Sequence, residues 1–101
     1  MTAEQLNDAL NDTGIVILDV RTPQEYSDSH IPHAINLDIH ADNFSSSLDS
    51  LDKNKNYVIY CRSGHRSGTA YEMMNDKGFK NIRHYPGGMI EWYQKEFDVV
   101  K

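Results

Sequence analysis

The chain has 101 residues, an apolar fraction of 39%, a charged fraction of 25% and a formal net charge of −5, which together indicate one soluble globular domain over residues 1–101. No apolar run reaches the roughly 20 residues of a membrane helix, and the first residues lack the pattern of a secretory signal, so we expect a cytoplasmic protein with no membrane partner. The scattered acidic residues and the lack of a broad basic face argue against nucleic acid as a partner.

Helical and strand patterns alternate along the chain. In chain order, we predict a helix over about 3–11, a strand over 15–20, a helix ending near 29, a short strand over 34–37, a polar helix over 42–51, a strand over 57–60, a helix over 67–77, a strand over 81–85 and a helix over 89–97. Thr2 with Gln5, and Thr22 with Glu25, have the spacing of capping boxes at the first two helices. The alternation is typical of an α/β domain with a central, mostly parallel sheet flanked by helices on both faces.

Cys61 is the only cysteine in the chain, and it directly follows the predicted strand 57–60. Ligands of parallel sheets bind beyond the carboxyl ends of the strands, which is where this thiol is expected to lie. One cysteine permits no internal disulfide and leaves no second thiol to resolve an intermediate. Any group that Cys61 accepts must therefore pass to another molecule.

A basic loop follows the cysteine and leads into a helix; its residues are Arg62, Ser63, Gly64, His65, Arg66 and Ser67. Successive N–H groups in such a loop can converge on an anion, and nearby cations lower a thiol's pKa. Gly64 allows the loop to curl because glycine tolerates positive φ, and Ser67 is expected to cap the helix. The pattern favours a nucleophilic thiolate in an anion cradle over a buried, inert cysteine.

Five histidines raise the alternative of a metal site. His30 and His33 flank a proline in a predicted loop, no histidine pair has a firm ligand spacing, and no second cysteine is available. We therefore expect no metal and no cofactor, and we place only His65 near the active site because it lies inside the basic loop.

Three stretches of this chain resemble signatures of the rhodanese family: LDVRTPQEYSDSHIPHAINL (18–37), CRSGHRS (61–67) and YPGGMIEW (85–92). The resemblance implies a single rhodanese-like domain that transfers sulfur in two displacements. Cys61 takes the outer sulfur of an anionic donor such as thiosulfate and becomes a persulfide, and cyanide, a small thiol or a protein thiol then accepts that sulfur. Ser29 and His33 depart from the family pattern, which usually has glycine at both positions, as does Met89, where tryptophan is usual.

The resemblance also implies supporting residues around the loop. Asp19 and Arg21 end the first predicted strand on the same rim as Cys61, and the family's similar Asp-x-Arg suggests that they hold this rim. The alternative is a surface ion pair worth under about 1 kcal/mol. Glu25 is predicted to pair with Arg62 and to fix its side chain.

Two other functions remain open from the sequence. A cysteine-dependent phosphatase or arsenate reductase also holds a thiolate under an anion cradle, but its loop has five residues between cysteine and arginine, whereas four separate Cys61 from Arg66. The shorter loop is expected to fit one sulfur atom better than a phosphate. A non-catalytic rhodanese-like binding module is the other alternative, and the presence of Cys61 argues against it.

Overall fold

The computed structural model describes all 101 residues, and helices and strands alternate through most of the chain. In order, the elements are α1 (Ala3–Ala9), β1 (Ile15–Asp19), α2 (Pro23–Asp28), β2 (Ile35–Asn36), α3 (Phe44–Asp49), β3 (Asn56–Tyr60), α4 (His65–Asp76), β4 (Asn81–His84) and α5 (Gly88–Gln94). None of the helices is both long enough and apolar enough to cross a membrane.

The four strands form one sheet in the order β2-β1-β3-β4, and every neighbouring pair is parallel. The carboxyl ends of all four strands therefore meet at one edge. In the register of the sheet, Ile59 of β3 lies beside Leu18 of β1 and beside His84 of β4. The predicted central parallel sheet is confirmed.

Apolar side chains cover both faces of the sheet because consecutive residues of a strand point to opposite sides. On one face, Ile17 and Val58 belong to a buried cluster with Leu6 of α1 and Trp92 of α5. On the other face the cluster includes Leu18, Ile59, Leu48 of α3 and Met74 of α4, together with Cys61. The prediction of helices on both faces is thus confirmed, and the Cys61 side chain lies on the α3–α4 face.

The two predicted capping boxes are present at α1 and α2, where the Thr2 and Thr22 side chains accept from the backbone N–H groups of Gln5 and Glu25. The sequence predicts that the last helix extends to residue 97, which is wrong. Helix α5 ends at Gln94, and Glu96 then has a left-handed backbone (φ 57°), so the chain turns before residue 97.

Ser29 and His33, the two positions where the signature that this chain resembles usually has glycine, differ in backbone conformation. Ser29 has an extended backbone (φ −174°), which any residue can adopt. His33 has φ 71°, in the left-handed region that disfavours residues with a Cβ. Only His33 therefore carries backbone strain from the departure.

Candidate active site

Cys61 directly follows β3 at the carboxyl edge of the sheet, and none of its surface is exposed. Its Sγ accepts hydrogen bonds from the backbone N–H groups of Gly64 at 3.1 Å and Ser67 at 3.3 Å. The hydroxyl Oγ of Ser67 lies 3.2 Å from the same sulfur. Three potential donors thus converge on one atom, as the sequence predicted for an anion cradle.

The surroundings of Cys61 favour its thiolate. Burial raises the pKa of the thiol, but hydrogen bonds from the Ser67 hydroxyl and from the N–H groups of Ser67, Ser63 and Gly64 outweigh burial and lower the pKa below its ordinary value. The hydrogen bonds donated by the loop are therefore the main cause of the lowered pKa.

The loop is shorter than predicted, because α4 begins at His65 instead of Ser67. Gly64 is the N-cap and has φ 95°, and a Cβ at this position would lie 2.6 Å from the carbonyl oxygen of Pro86. The prediction that Ser67 caps this helix is wrong, since Ser67 lies inside the first turn. Its N–H, one of those left free by an early helical turn, is available to the sulfur.

The start of α5 holds the other side of the loop, a contact that sequence reasoning missed. The N–H of Met89 donates to the carbonyl of Cys61 at 3.0 Å, and the N–H of Ile90 donates to that of Arg62 at 3.2 Å. A Cβ on Gly88 would come within 2.5 Å of the Cys61 carbonyl oxygen. The paired glycines at the start of α5, Gly87 and Gly88, were the available signal for this close approach.

Glu25 pairs with Arg66, so the predicted pair with Arg62 is wrong. Nη1 and Nη2 of Arg66 donate to the two carboxylate oxygens of Glu25 at 2.7 and 3.0 Å. This contact, with hydrogen bonds from Thr22, outweighs the effect of burial and lowers the pKa of Glu25 to about 2. Arg66 reaches α2 because it lies in the first turn of α4, whereas Arg62 is exposed and pairs with no carboxylate.

Asp19 and Arg21 form a buried ion pair, so the alternative of a surface pair is wrong. Nε and Nη2 of Arg21 contact Asp19 Oδ2 at 3.0 and 2.6 Å, and Nη2 also donates to the carbonyl of Ser29 at 2.6 Å. The Tyr60 hydroxyl donates to the same carboxylate at 2.6 Å. The pair therefore ties the end of β1 to β3 and to the segment before β2.

A groove of about 230 Å³ lies beside the loop. It is lined by Arg62, by Arg21, Glu25, Asp28 and Ser29, and by Met89, Ile90 and Tyr93 of α5. The remaining predicted loop residues, Ser63 and His65, are exposed. A larger cavity of about 420 Å³ is lined by Ile15, Asn56 and Asn81, the first residues of three strands, so it opens at the edge opposite Cys61.

His84 is a further residue of the site that the sequence-based prediction did not assign to it. Its Nε2 lies 2.7 Å from Oγ of Ser67, and its ring stacks against Tyr71 of α4. The available signal was its position at the end of β4, because the ends of parallel strands meet at one edge. No three histidine, cysteine or acidic side chains are grouped to hold a metal ion.

Known proteins resemble this chain in both sequence and fold. The family model described as the rhodanese-like domain matches residues 2–95. The thiosulfate:glutathione sulfurtransferase of Saccharomyces cerevisiae is 36% identical over 93 residues, which cover 81% of this chain and 67% of that protein.

Two more relatives show the range of proteins that contain this domain. A tRNA uridine(34) hydroxylase of Yersinia pestis is 35% identical over 94% of this chain, but the chain spans only 28% of that protein. The crystal structure of a rhodanese-related protein from Thermoplasma volcanium matches with a TM-score of 0.87 and 29% identity, covering 99% of this chain and 95% of that one.

Proposed function

The chain belongs to the rhodanese-like domain family, and from that premise we propose that it is a sulfurtransferase of the thiosulfate sulfurtransferase type. It would move a sulfane sulfur from a small anionic donor such as thiosulfate to cyanide or to a small or protein thiol, through a persulfide on Cys61. The observation that carries the proposal is the buried sulfur of the only cysteine, held by N–H groups and a hydroxyl.

The proposed chemistry has two displacements at sulfur. The Cys61 thiolate attacks the outer sulfur of thiosulfate, a new S–S bond forms, and the bond to the sulfonate sulfur breaks as sulfite leaves with the electron pair. The acceptor, as a thiolate or cyanide, then attacks the outer sulfur of the persulfide, and Cys61 leaves as a thiolate. No electron donor or cofactor is needed, because each displacement forms one bond to the transferred sulfur as it breaks another.

The loop suits both anionic states of this cycle. The N–H groups of Gly64 and Ser67 stabilise negative charge on the cysteine sulfur, and the same donors can serve the outer sulfur of the persulfide. Arg62 is exposed at the groove beside the loop and supplies an unpaired cation for an anionic donor. Because Cys61 is fully buried, we expect a donor to reach Sγ only after the groups that cover it move.

The geometry supports sulfur transfer better than oxyanion chemistry. A cysteine-dependent phosphatase or arsenate reductase would need the fork of the loop arginine for the oxygens of its substrate. Both terminal nitrogens of Arg66 already donate to Glu25. The donors that remain near Sγ converge on a single atom.

The decisive experiment is the intact mass of the protein after incubation with thiosulfate, and again after addition of cyanide or a thiol. We expect a gain of one sulfur atom, which the acceptor removes with formation of thiocyanate or a small persulfide. The Cys61→Ser variant should stay folded and gain nothing. Normal sulfur loading in that variant would refute Cys61 as the carrier. No loading of the wild type by thiosulfate or by a persulfide donor would refute sulfur transfer and direct assays to aryl phosphate, arsenate and binding.

A further inference from the structure

The groups that contact the Cys61 sulfur differ in what they can do with a proton. The backbone N–H groups of Gly64 and Ser67 donate to Sγ but cannot accept a proton from it. The Ser67 hydroxyl can both donate and accept, and it lies 3.2 Å from Sγ and 2.7 Å from Nε2 of His84. The hydrogen-bonded path that leaves the sulfur through a side chain therefore ends on an imidazole.

The path also leads from the interior to the surface. Cys61 and Ser67 have no exposed surface, whereas His84 is partly exposed. A proton on the buried thiol has no direct contact with solvent, but a proton on His84 can exchange with it. The side chains of Cys61, Ser67 and His84, which we call the sulfur–imidazole path, come from the residue after β3, from α4 and from β4.

We propose that His84 accepts the proton of the Cys61 thiol through Ser67 and thereby sets the pH range in which the sulfur reacts. His84 acts on the sulfur through Ser67 and not by direct contact, so it is a positioning residue. The proposal rests on the proposed role of Cys61 as a nucleophile. It concerns only how the thiolate forms, and it can be tested without sulfur transfer.

The transfer balances as two coupled steps. The thiol S–H bond breaks as its proton moves to Ser67 Oγ, while the original Ser67 O–H bond breaks and that proton moves to His84 Nε2. A thiolate and an imidazolium result, and Ser67 is again a hydroxyl, now donating to Sγ. The imidazolium stays paired with the thiolate through Ser67 and stabilises its negative charge, and the thiolate is free to attack the donor.

The groups around His84 keep its ring neutral while Cys61 is still a thiol. Tyr71 stacks on its ring from α4, its strand neighbour Ile59 is apolar, and the Met1 amino group donates to the His84 carbonyl at 3.1 Å. Burial and, secondarily, the charge of that amino group lower the pKa of His84. The imidazole is therefore neutral near pH 7, and a ring nitrogen is available to accept a proton.

The test is the rate of Cys61 alkylation by iodoacetamide as a function of pH. This uncharged reagent reacts with the thiolate and does not depend on the loop arginines or on sulfur transfer. A change in access to the buried sulfur would alter the rate by the same factor at every pH, so the pH dependence separates access from proton transfer. His84→Gln keeps a side chain that can hydrogen-bond to Ser67 but cannot titrate, and Ser67→Ala interrupts the path. The control is His40→Gln, because His40 is exposed and its side chain contacts no member of the path.

We expect both path variants to react about tenfold more slowly at pH 7, the change that corresponds to one pKa unit of the thiol. Their rates should approach that of the wild type above pH ~9, where hydroxide removes the proton, and the double variant should be no slower than Ser67→Ala. The control should follow the wild type. A His84→Gln profile identical to the wild type, or slower by the same factor at every pH, would overturn the proposal.

A measurement on the wild type keeps the proposal testable if a path variant fails to fold. The NMR titration of the His84 ring should show two steps, because the ring is coupled to a second titrating group. The step at higher pH should vanish once Cys61 is alkylated. A single step, unchanged by alkylation, would contradict the proposal.

Discussion

Glu25 and Arg66 are 41 residues apart in sequence, yet both terminal nitrogens of the arginine contact both oxygens of the carboxylate. Helix α2 and the first turn of α4 are held together at the active-site edge by this contact. The contact balances the charge of Arg66, whereas the charge of Arg62 has no acidic partner.

Replacement of Arg62 should weaken the use of anionic donors. We expect Arg62→Ala to raise KM for thiosulfate about tenfold with a smaller change in kcat, because one charge-assisted contact to an anion is worth roughly 1.5–3 kcal/mol and a tenfold change corresponds to about 1.4 kcal/mol. Steady-state rates with thiosulfate and cyanide give both constants. Arg83→Ala is the matched control, since Arg83 is exposed on β4 and lines the cavity at the opposite edge. An unchanged KM in Arg62→Ala would exclude the assigned role.

The Glu25–Arg66 pair should make stability depend on pH in the acid range. The folded-state pKa of Glu25, about 2, lies below the ordinary value of 4.5. The pair therefore stabilises the fold fully above the ordinary pKa of the carboxyl group, and this stabilisation is lost as pH falls toward the folded-state pKa. Because both side chains are about a quarter exposed, we expect Glu25→Gln to lower the free energy of unfolding at pH 7 by only about 1 kcal/mol.

Urea unfolding of wild type and Glu25→Gln at pH 7 and at pH 2.5 checks this dependence. The difference between the two proteins should shrink at the lower pH. Glutamine can still accept from Thr22, so the capping box is retained in the variant. A difference that is the same at both pH values would show that the carboxylate charge does not stabilise the fold.

The buried pair of Asp19 and Arg21 should matter more for stability than any exposed pair. Asp19→Asn leaves the Arg21 charge buried without its partner, and we expect a loss of about 3 kcal/mol in the free energy of unfolding. Asp49→Asn, which removes the exposed partner of Lys77, should cost under about 1 kcal/mol. Equal losses in the two variants, measured by urea unfolding, would contradict the assigned importance of burial.

Gly64 should be sensitive to both backbone conformation and space. Gly64→Ala places a Cβ at φ 95° and 2.6 Å from the Pro86 carbonyl oxygen, whereas Gly78→Ala has φ 90° with nothing within 4 Å. We expect about 1 kcal/mol of destabilisation from the left-handed backbone in both variants. Gly64→Ala should lose more and should also load sulfur more slowly, because its N–H donates to Sγ. Equal stability and equal loading rates in both variants would show that the contact with Pro86 has no effect.

Short-range sequence patterns predict much of the fold. Capping boxes place the starts of α1 and α2 because the interacting groups lie three residues apart. The apolar runs of β1 and β3 are long enough to predict a sheet covered on both faces, and Cys61 follows one of these strands directly. The start of α4 was misplaced because Gly64, with a left-handed backbone and no capping side chain, precedes the helix, whereas Ser67 has the better cap chemistry in sequence terms.

What short-range chemistry specified was the alternation of helices and strands, the one available nucleophile and the basic loop behind it, because each depends on residues within a few positions of one another. The tertiary structure alone decided which partners meet. Arg66 contacts Glu25 because α2 and α4 begin just after the adjacent strands β1 and β3. The ring of His84 lies beside Ser67 because β4 pairs with β3 in the register that sets His84 beside Ile59. Such distant residues are brought together by the order of the parallel strands and the packing of the helices. Both depend on residues far apart in sequence, so no short stretch of the chain specifies them.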